Sequence, residues 1–135
     1  MNDCVFCKII KKEIPSQIIF ENKNALAFLD INPSTKGHTL IVPKKHYAHL
    51  TNMPKKDLES FMESLQTVAK AIEAYGEGFN LLQNNGKAAG QLVEHVHFHL
   101  VPRRKNDGVQ IGNWRTAKGI DLNAVADEIK SLLKP

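Results

Sequence analysis

Residues 95–102 read His95-Val96-His97-Phe98-His99-Leu100-Val101-Pro102, three imidazoles at strict two-residue spacing with apolar residues between them. Side chains along a β-strand leave alternate faces, so His95, His97 and His99 share one face and Val96, Phe98 and Leu100 fill the other. A helix would scatter the three rings around its circumference, and the interleaved Val and Phe favour a strand. Imidazoles in a row can supply a neutral nucleophile, a metal ligand and a proton donor near neutral pH. The plainer alternative is a strand whose histidines are satisfied by hydrogen bonds. Three in register, followed by Val-Pro-Arg, point to a site, because clustered titratable groups mark one.

Other residues could join that chemistry. Cys4 and Cys7, the only cysteines, form a Cys-x-x-Cys pair. In an intracellular chain such a pair is more often half a zinc site or a redox pair than a structural disulfide. No strand fits ahead of it, which disfavours a thioredoxin-like redox motif. The zinc reading needs two further ligands, with His38, His46, His49 and the triad on offer. Asp30 closes an apolar run before a turn at Ile31-Asn32-Pro33-Ser34; it is either a carboxylate bonded to loop amides or a ligand for hydroxyl groups. The loop Asn84-Asn85-Gly86-Lys87-Ala88-Ala89-Gly90-Gln91 enters the triad directly. It is a simple connection or a phosphate-facing loop whose amides near Gly90 donate to oxygens.

The elements that must position these groups follow from periodicity. Ile9, Ile10 and Ile14 suggest a short helix stopping before Pro15. Strands are expected at Gln17–Phe20, Ala25–Leu29, Thr39–Val42 and Gly78–Gln83, ahead of the triad strand from His95. Between Lys55 and Tyr75, apolar residues at Leu58, Phe61, Met62, Leu65, Val68, Ala69 and Ile72 form one helical stripe, punctuated by Pro54 and Gly76. A closing amphipathic helix spans Asp121–Leu133, with Asp121 as its cap. Trp114 falls in a stretch with no clear period. Hairpin-length links make the sheet antiparallel, about five strands in an α+β fold.

The 135 residues, 42% hydrophobic and 24% charged, suit one globular domain over 1–135. No apolar run approaches membrane-spanning length and Met1–Ile10 lacks the pattern of a signal peptide, so a cytoplasmic location and no membrane partner are expected. The net charge of +4 is spread over lysine pairs such as Lys11-Lys12, Lys44-Lys45 and Lys55-Lys56, without the dense basic run of a nucleic-acid binder. A mild positive field helps draw in a small phosphate-bearing molecule.

The triad resembles the signature of the histidine triad (HIT) family of nucleotide hydrolases and transferases, His-x-His-x-His-x-x with apolar x. Phe6–Pro15, Phe28–Pro43 and Asn84–Arg103 resemble further blocks of that family, in order. The likeness is strongest over 4–103, leaving 104–135 as a C-terminal extension, and favours the branch of nucleotide-binding phosphoramidases and bacterial HIT proteins. The resemblance implies a HIT-like fold with a short N-terminal helix, one long helix and a C-terminal helix. It implies a homodimer built on the long helix and the strand after it, and a purine nucleotide substrate, adenylyl-containing by preference. It makes His97 the nucleophile, His99 the group against the phosphate oxygens, His38 a neighbour of the triad and Asn84 an amide facing the phosphate or leaving group. It assigns Asp30 to the ribose, Val5, Phe6, Ile9, Phe28, Ile31 and Leu40 to an apolar base pocket, and Gly90 and Gln91 to the phosphate loop. It also implies structural Zn²⁺ on Cys4, Cys7, His46 and His95. Leu92 departs from the pattern: many relatives have Ser or Thr there, and a leucine offers a leaving group no hydrogen bond. The implied activity releases a nucleoside monophosphate from an amine, acyl or phosphate group. Dinucleoside polyphosphate hydrolysis, a non-catalytic binding module and a metal hydrolase using the triad as ligands are the alternatives.

Overall fold

The computed structural model describes residues 3–110, 112, 113 and 115–134; Trp114 lies outside them. In order the elements are α1 (Val5–Ile10), β1 (Ile18–Glu21), β2 (Ala25–Leu29), β3 (Thr39–Pro43), α2 (Lys55–Tyr75), β4 (Gly78–Gln83), β5 (Phe98–Arg103) and α3 (Leu122–Leu132). The five strands make one antiparallel sheet in the order β1-β2-β3-β5-β4. Among the described residues no helix is long and apolar enough to cross a membrane.

Alternation along the strands sorts the core into two layers. Ala25, Ala27 and Leu29 of β2, Ile41 of β3 and Phe98 and Leu100 of β5 pack under α2 and α3. The α2 stripe meets them through Phe61, Leu65, Val68 and Ile72, all buried, at the 4-3-4 spacing of one helix face. Leu26, Phe28, Leu40 and Val42 face the other way, against Phe6 and Ile9 of α1. The central strands are covered on both faces, which is why Ala25–Leu29 reads as an unbroken apolar run.

Two expectations need correction. The N-terminal helix is not centred on Ile9–Ile14; it spans Val5–Ile10, and the chain leaves it through Lys12 at φ 64°. Its cap is the Cys4 thiol, which accepts from the Cys7 amide at 3.4 Å, a weak acceptor that sequence rules do not flag. The triad strand does not begin at His95. Regular pairing starts at Phe98, opposite Ile41, because the preceding backbone bonds elsewhere: the Val96 amide donates to the Tyr47 carbonyl at 2.8 Å. Val93–His95 form a bend, tightened by the His95 amide donating to the Val93 carbonyl at 2.9 Å, and Val96 then reaches the α2 layer beside Phe98 and Leu100 as the alternation requires.

Candidate active site

His38 starts from a glycine. Gly37 holds φ +94°, and a Cβ there would lie 2.7 Å from the Tyr75 ring, so conformation and space both demand glycine. The turn brings the Ser34 amide to His38 Nδ1 at 3.0 Å. That bond makes Nδ1 the acceptor and puts the ring proton on Nε2, which donates to His99 Nδ1 at 3.0 Å. The proton of neutral His99 is therefore on its Nε2. His97 is fixed by a third bond: its Nδ1–H donates to the His95 carbonyl at 2.7 Å, leaving the Nε2 lone pair free. The His97 and His99 rings stand 5.2 Å apart, centroid to centroid. The chain thus sets a bare nitrogen beside an N–H donor.

The electrostatics keep the rings neutral. Burial pushes His97 and His38 below the ordinary imidazole range, with the Asp30 carboxylate pulling each the other way. Burial, then the neighbouring His38 and His97 rings, holds His99 down to about 4. Asp30 Oδ1 accepts from the Asn32 amide at 2.8 Å, and Oδ2 is 3.7 Å from His38 Nε2. Asp30, His38 and His99 thus gather one oxygen and two nitrogens within 4.8 Å. A cation does not suit this group, since His38 Nε2 carries the proton and offers no lone pair. The triad also does not share one metal, because His95 turns away from His97 and His99 into a sulfur cluster. The reading of a catalytic metal on the triad fails on both counts.

In that cluster Cys4 Sγ lies 3.3 Å from His95 Nδ1 and Cys7 Sγ lies 3.3 Å from His46 Nδ1. Cys7 Sγ is 3.6 Å from His95 Nδ1, and the two Nδ1 atoms are 3.1 Å apart. His95 Nε2 donates to the Pro43 carbonyl at 2.9 Å, so its Nδ1 lone pair faces the sulfurs. Zinc bonds of about 2.3 Å to sulfur and about 2.0 Å to nitrogen, at tetrahedral angles, place S···N pairs about 3.5 Å apart and N···N pairs about 3.3 Å apart. The four side chains stand near those separations, and the set fits Zn²⁺. Burial and the Cys4 thiol raise the Cys7 thiol above its usual range, so its thiolate needs a cation. His49 is not part of the cluster; its amide donates to Asn52 Oδ1 at 2.9 Å, ahead of a 3-10 turn.

The apolar residues gather on the imidazole side. Phe6, Ile9, Phe28 and Leu40 are buried in one cluster, with Val5 and Val93 packed against it. Phe6 stands edge-to-face with Phe28, His95 and His97, at centroid separations of 5.7, 5.9 and 5.0 Å. Ile31 is set apart, 74% exposed on the turn after Asp30. Asn84 follows the last β4–β5 pair, Gln83–Phe98, and so occupies the next position alongside His97. Gly90, at φ +89°, closes a 3-10 turn in which its own amide donates to Lys87, so that amide serves the loop. Gln91 is buried and clasps the loop: its Oε1 accepts from the Gly86 amide at 2.7 Å and its Nε2 donates to the Ala48 carbonyl at 2.8 Å. Leu92, next to it, is 94% exposed. Sequence reasoning missed Ser34 and Pro43. Both act through backbone atoms, which leave no mark on residue type.

The profile of the HIT domain matches residues 11–106. An uncharacterized HIT-like protein of Methanocaldococcus jannaschii is 46% identical over 128 residues, covering 94% of this chain and 98% of that protein. The adenosine 5'-monophosphoramidase of Saccharomyces cerevisiae is 45% identical over 130 residues, covering 96% of this chain and 80% of that protein. A zinc-bound histidine triad family protein from Mycobacterium smegmatis superposes with a TM-score of 0.86 at 35% identity, over 97% of this chain and 93% of that one. The motif, the fold and these likenesses agree: the chain belongs to the histidine triad (HIT) domain family.

Proposed function

We propose that this protein hydrolyses the bond between a nucleoside monophosphate, AMP first among them, and an amine, acyl or phosphate leaving group. The observation that carries this reading is the pair of fixed tautomers, a bare Nε2 on His97 beside an Nε2–H on His99. In the first step His97 Nε2 attacks phosphorus and a P–N bond forms. The bond from phosphorus to the leaving atom breaks, and that atom receives a proton relayed from solvent through His99 Nε2, so that His99 ends the step neutral as it began. The His97 ring gains positive charge, and its Nδ1–H bond to the His95 carbonyl strengthens as it does so. In the second step water attacks phosphorus, the P–N bond breaks and returns its electron pair to His97, the water's proton passes to solvent through His99, and AMP leaves.

Phe6, Ile9, Phe28, Leu40 and Val5 form the wall for the purine, with Ile31 at the rim; Asp30 takes the ribose hydroxyls and Asn84, Gly90 and Gln91 border the phosphate. Zn²⁺ on Cys4, Cys7, His46 and His95 is structural: it draws sulfur and imidazole into one knot and takes no part in the steps above. The yeast relative's name, an adenosine 5'-monophosphoramidase, supports the choice of AMP and of a P–N bond. Residues 1–135 act as one domain, in the cytoplasm. Two copies pair through the open edge of β4, where Leu81 is 45% exposed, and through α2; light scattering at micromolar protein should give twice the 15.1 kDa chain mass. The deciding experiment is turnover of a panel of adenosine phosphoramidates, acyl adenylates, dinucleoside polyphosphates and nucleotide sugars. Release of AMP from the phosphoramidates, with a nucleotidyl adduct on His97 trapped by rapid mixing, is the expected result. Tight nucleotide binding with no turnover anywhere in the panel refutes the enzyme in favour of a binding module.

A further inference from the structure

The helix that walls the site has little of its own to hold it in place. α1 is six residues long, well below the roughly 12–15 that sustain a helix in water. The backbone hydrogen bonds of Lys8, Lys11, Lys12, Glu13 and Ile14 all run back to Cys4, Cys7, Lys8 and Ile9. They fix the segment's shape and not its seat on the sheet. Its polar links outward are the cluster distances, Cys4 to His95 and Cys7 to His46 and His95, and the exposed Lys12–Glu21 pair. Phe6 and Ile9 are its buried side chains, with Val5, Ile10 and Ile14 partly buried against the same cluster. Burying two side chains fully and three in part falls short of the conformational entropy of ordering the dozen residues from Asp3 to Ile14. Phe6, lying between the two cysteines in sequence, is also the side chain whose ring packs edge-to-face with His97 at 5.0 Å.

Three roles meet in His95. Its Nδ1 faces the sulfurs, its Nε2 is tied to Pro43, and its carbonyl holds the His97 ring. The ligand set and the nucleophile's orientation are therefore one continuous structure.

We propose that the metal held by Cys4, Cys7, His46 and His95 is a latch: it seats α1 so that Phe6 and Ile9 close the nucleotide pocket, and Phe6 positions the His97 ring. The inference rests on the nucleotide reading for its ligand and extends it by making nucleotide affinity a property of metal occupancy. Phe6 is a positioning residue on this account. Loss of the metal releases α1 and opens the wall, while β5 stays in the sheet and the His97–His95 bond beside it is kept.

The test uses the full chain, zinc-loaded and chelated, with AMP as probe. AMP affinity is read by calorimetry and amide exchange is read for residues 4–14 and for β5. Chelation should weaken AMP binding on the order of 10- to 100-fold, the range expected for losing one well-buried apolar wall residue. It should speed exchange in residues 4–14 and leave Phe98–Arg103 protected, and added Zn²⁺ should reverse both. Phe6→Ala, still carrying one zinc per chain, should show the same weakening without faster exchange at the cysteines. Equal AMP affinity in the two forms, or unchanged protection of residues 4–14 after chelation, overturns the latch. If chelation unfolds β5 as well, the zinc-loaded Phe6→Ala protein decides, and wild-type affinity there overturns the proposal. If neither form binds AMP, the nucleotide reading fails by itself, and exchange in residues 4–14 still tells whether the metal seats α1.

Discussion

His38 touches no substrate in the proposed steps, yet replacing it by Phe should slow them. The ring is buried, accepts from the Ser34 amide at 3.0 Å and donates to His99 at 3.0 Å. Phenylalanine fills the space and deletes both bonds, leaving a buried amide and a ring nitrogen without partners. Each orphaned group costs about 1–3 kcal/mol, so the variant should lose roughly 2–5 kcal/mol of stability after the gain from a less polar ring. The effect on chemistry is smaller. A net hydrogen bond of about 1 kcal/mol holds His99 in the Nε2–H form; without it, the wrong tautomer and a loosened ring should lower kcat roughly tenfold. That lies short of the 10²–10⁴-fold typical of losing an acid–base group outright, the loss expected of His99→Ala. AMP affinity should change little, since the apolar wall and Asp30 remain. The assay is kcat and AMP Kd for wild type, His38→Phe and His99→Ala, with ¹⁵N NMR of His99 to read which nitrogen bears the proton. A His99 carrying its proton on Nδ1 in the wild type refutes the relay, as does a folded His38→Phe with full kcat.

The remaining predictions concern the nucleophile, the loop and the response to acid. His97→Ala should lower turnover by about four orders of magnitude or more while AMP Kd stays within several-fold, because no other group can form the adduct; near wild-type kcat in single-turnover assays ends the covalent scheme. Gln91→Ala should cost roughly 1–3 kcal/mol by denaturant titration, since it strands the Gly86 amide and the Ala48 carbonyl. In acid, His99 takes its proton at about 4 in the fold and near 6.5 when unfolded. The unfolded chain therefore binds protons first: stability is full above about pH 6.5 and falls as pH drops toward 4. A Tm that holds constant between pH 7 and pH 4.5 contradicts this.

Much of the fold was legible because periodicity reports burial. The α2 stripe gave the helix its full extent from Lys55 to Tyr75, and Ala25–Leu29 and Gly78–Gln83 fell where the apolar runs placed them. The misplaced pieces share one cause, competition from bonds that residue types do not announce. α1 starts early because a cysteine caps it and the cluster seats it. The strand starts late because the Pro43 carbonyl is given to the His95 side chain and the Val96 amide to Tyr47, which removes that stretch from the β3 ladder. The site divides the same way. His97, His99, His38 and Asp30 were named by type and motif and stand together, whereas Ile31 stands out in solvent. Gln91, named for a phosphate loop, spends both ends of its amide on holding that loop.

What makes the triad more than three histidines is the backbone around it. Three main-chain groups settle three tautomers: the Ser34 amide fixes His38, the His95 carbonyl fixes His97 and the Pro43 carbonyl fixes His95. His99 is settled at second hand through His38. Backbone groups cannot be exchanged by a point substitution and do not titrate near neutral pH, so the pattern of donors and lone pairs holds without adjustment as substrate arrives. Their own positions depend on the opposite face, where Val96, Phe98 and Leu100 are locked beneath α2. A cavity there, such as Phe98→Ala, should therefore shift the His95 carbonyl and the His97 ring together. The apolar half of the alternating motif belongs to the mechanism as much as the imidazoles do, because it sets the direction in which the bare nitrogen points.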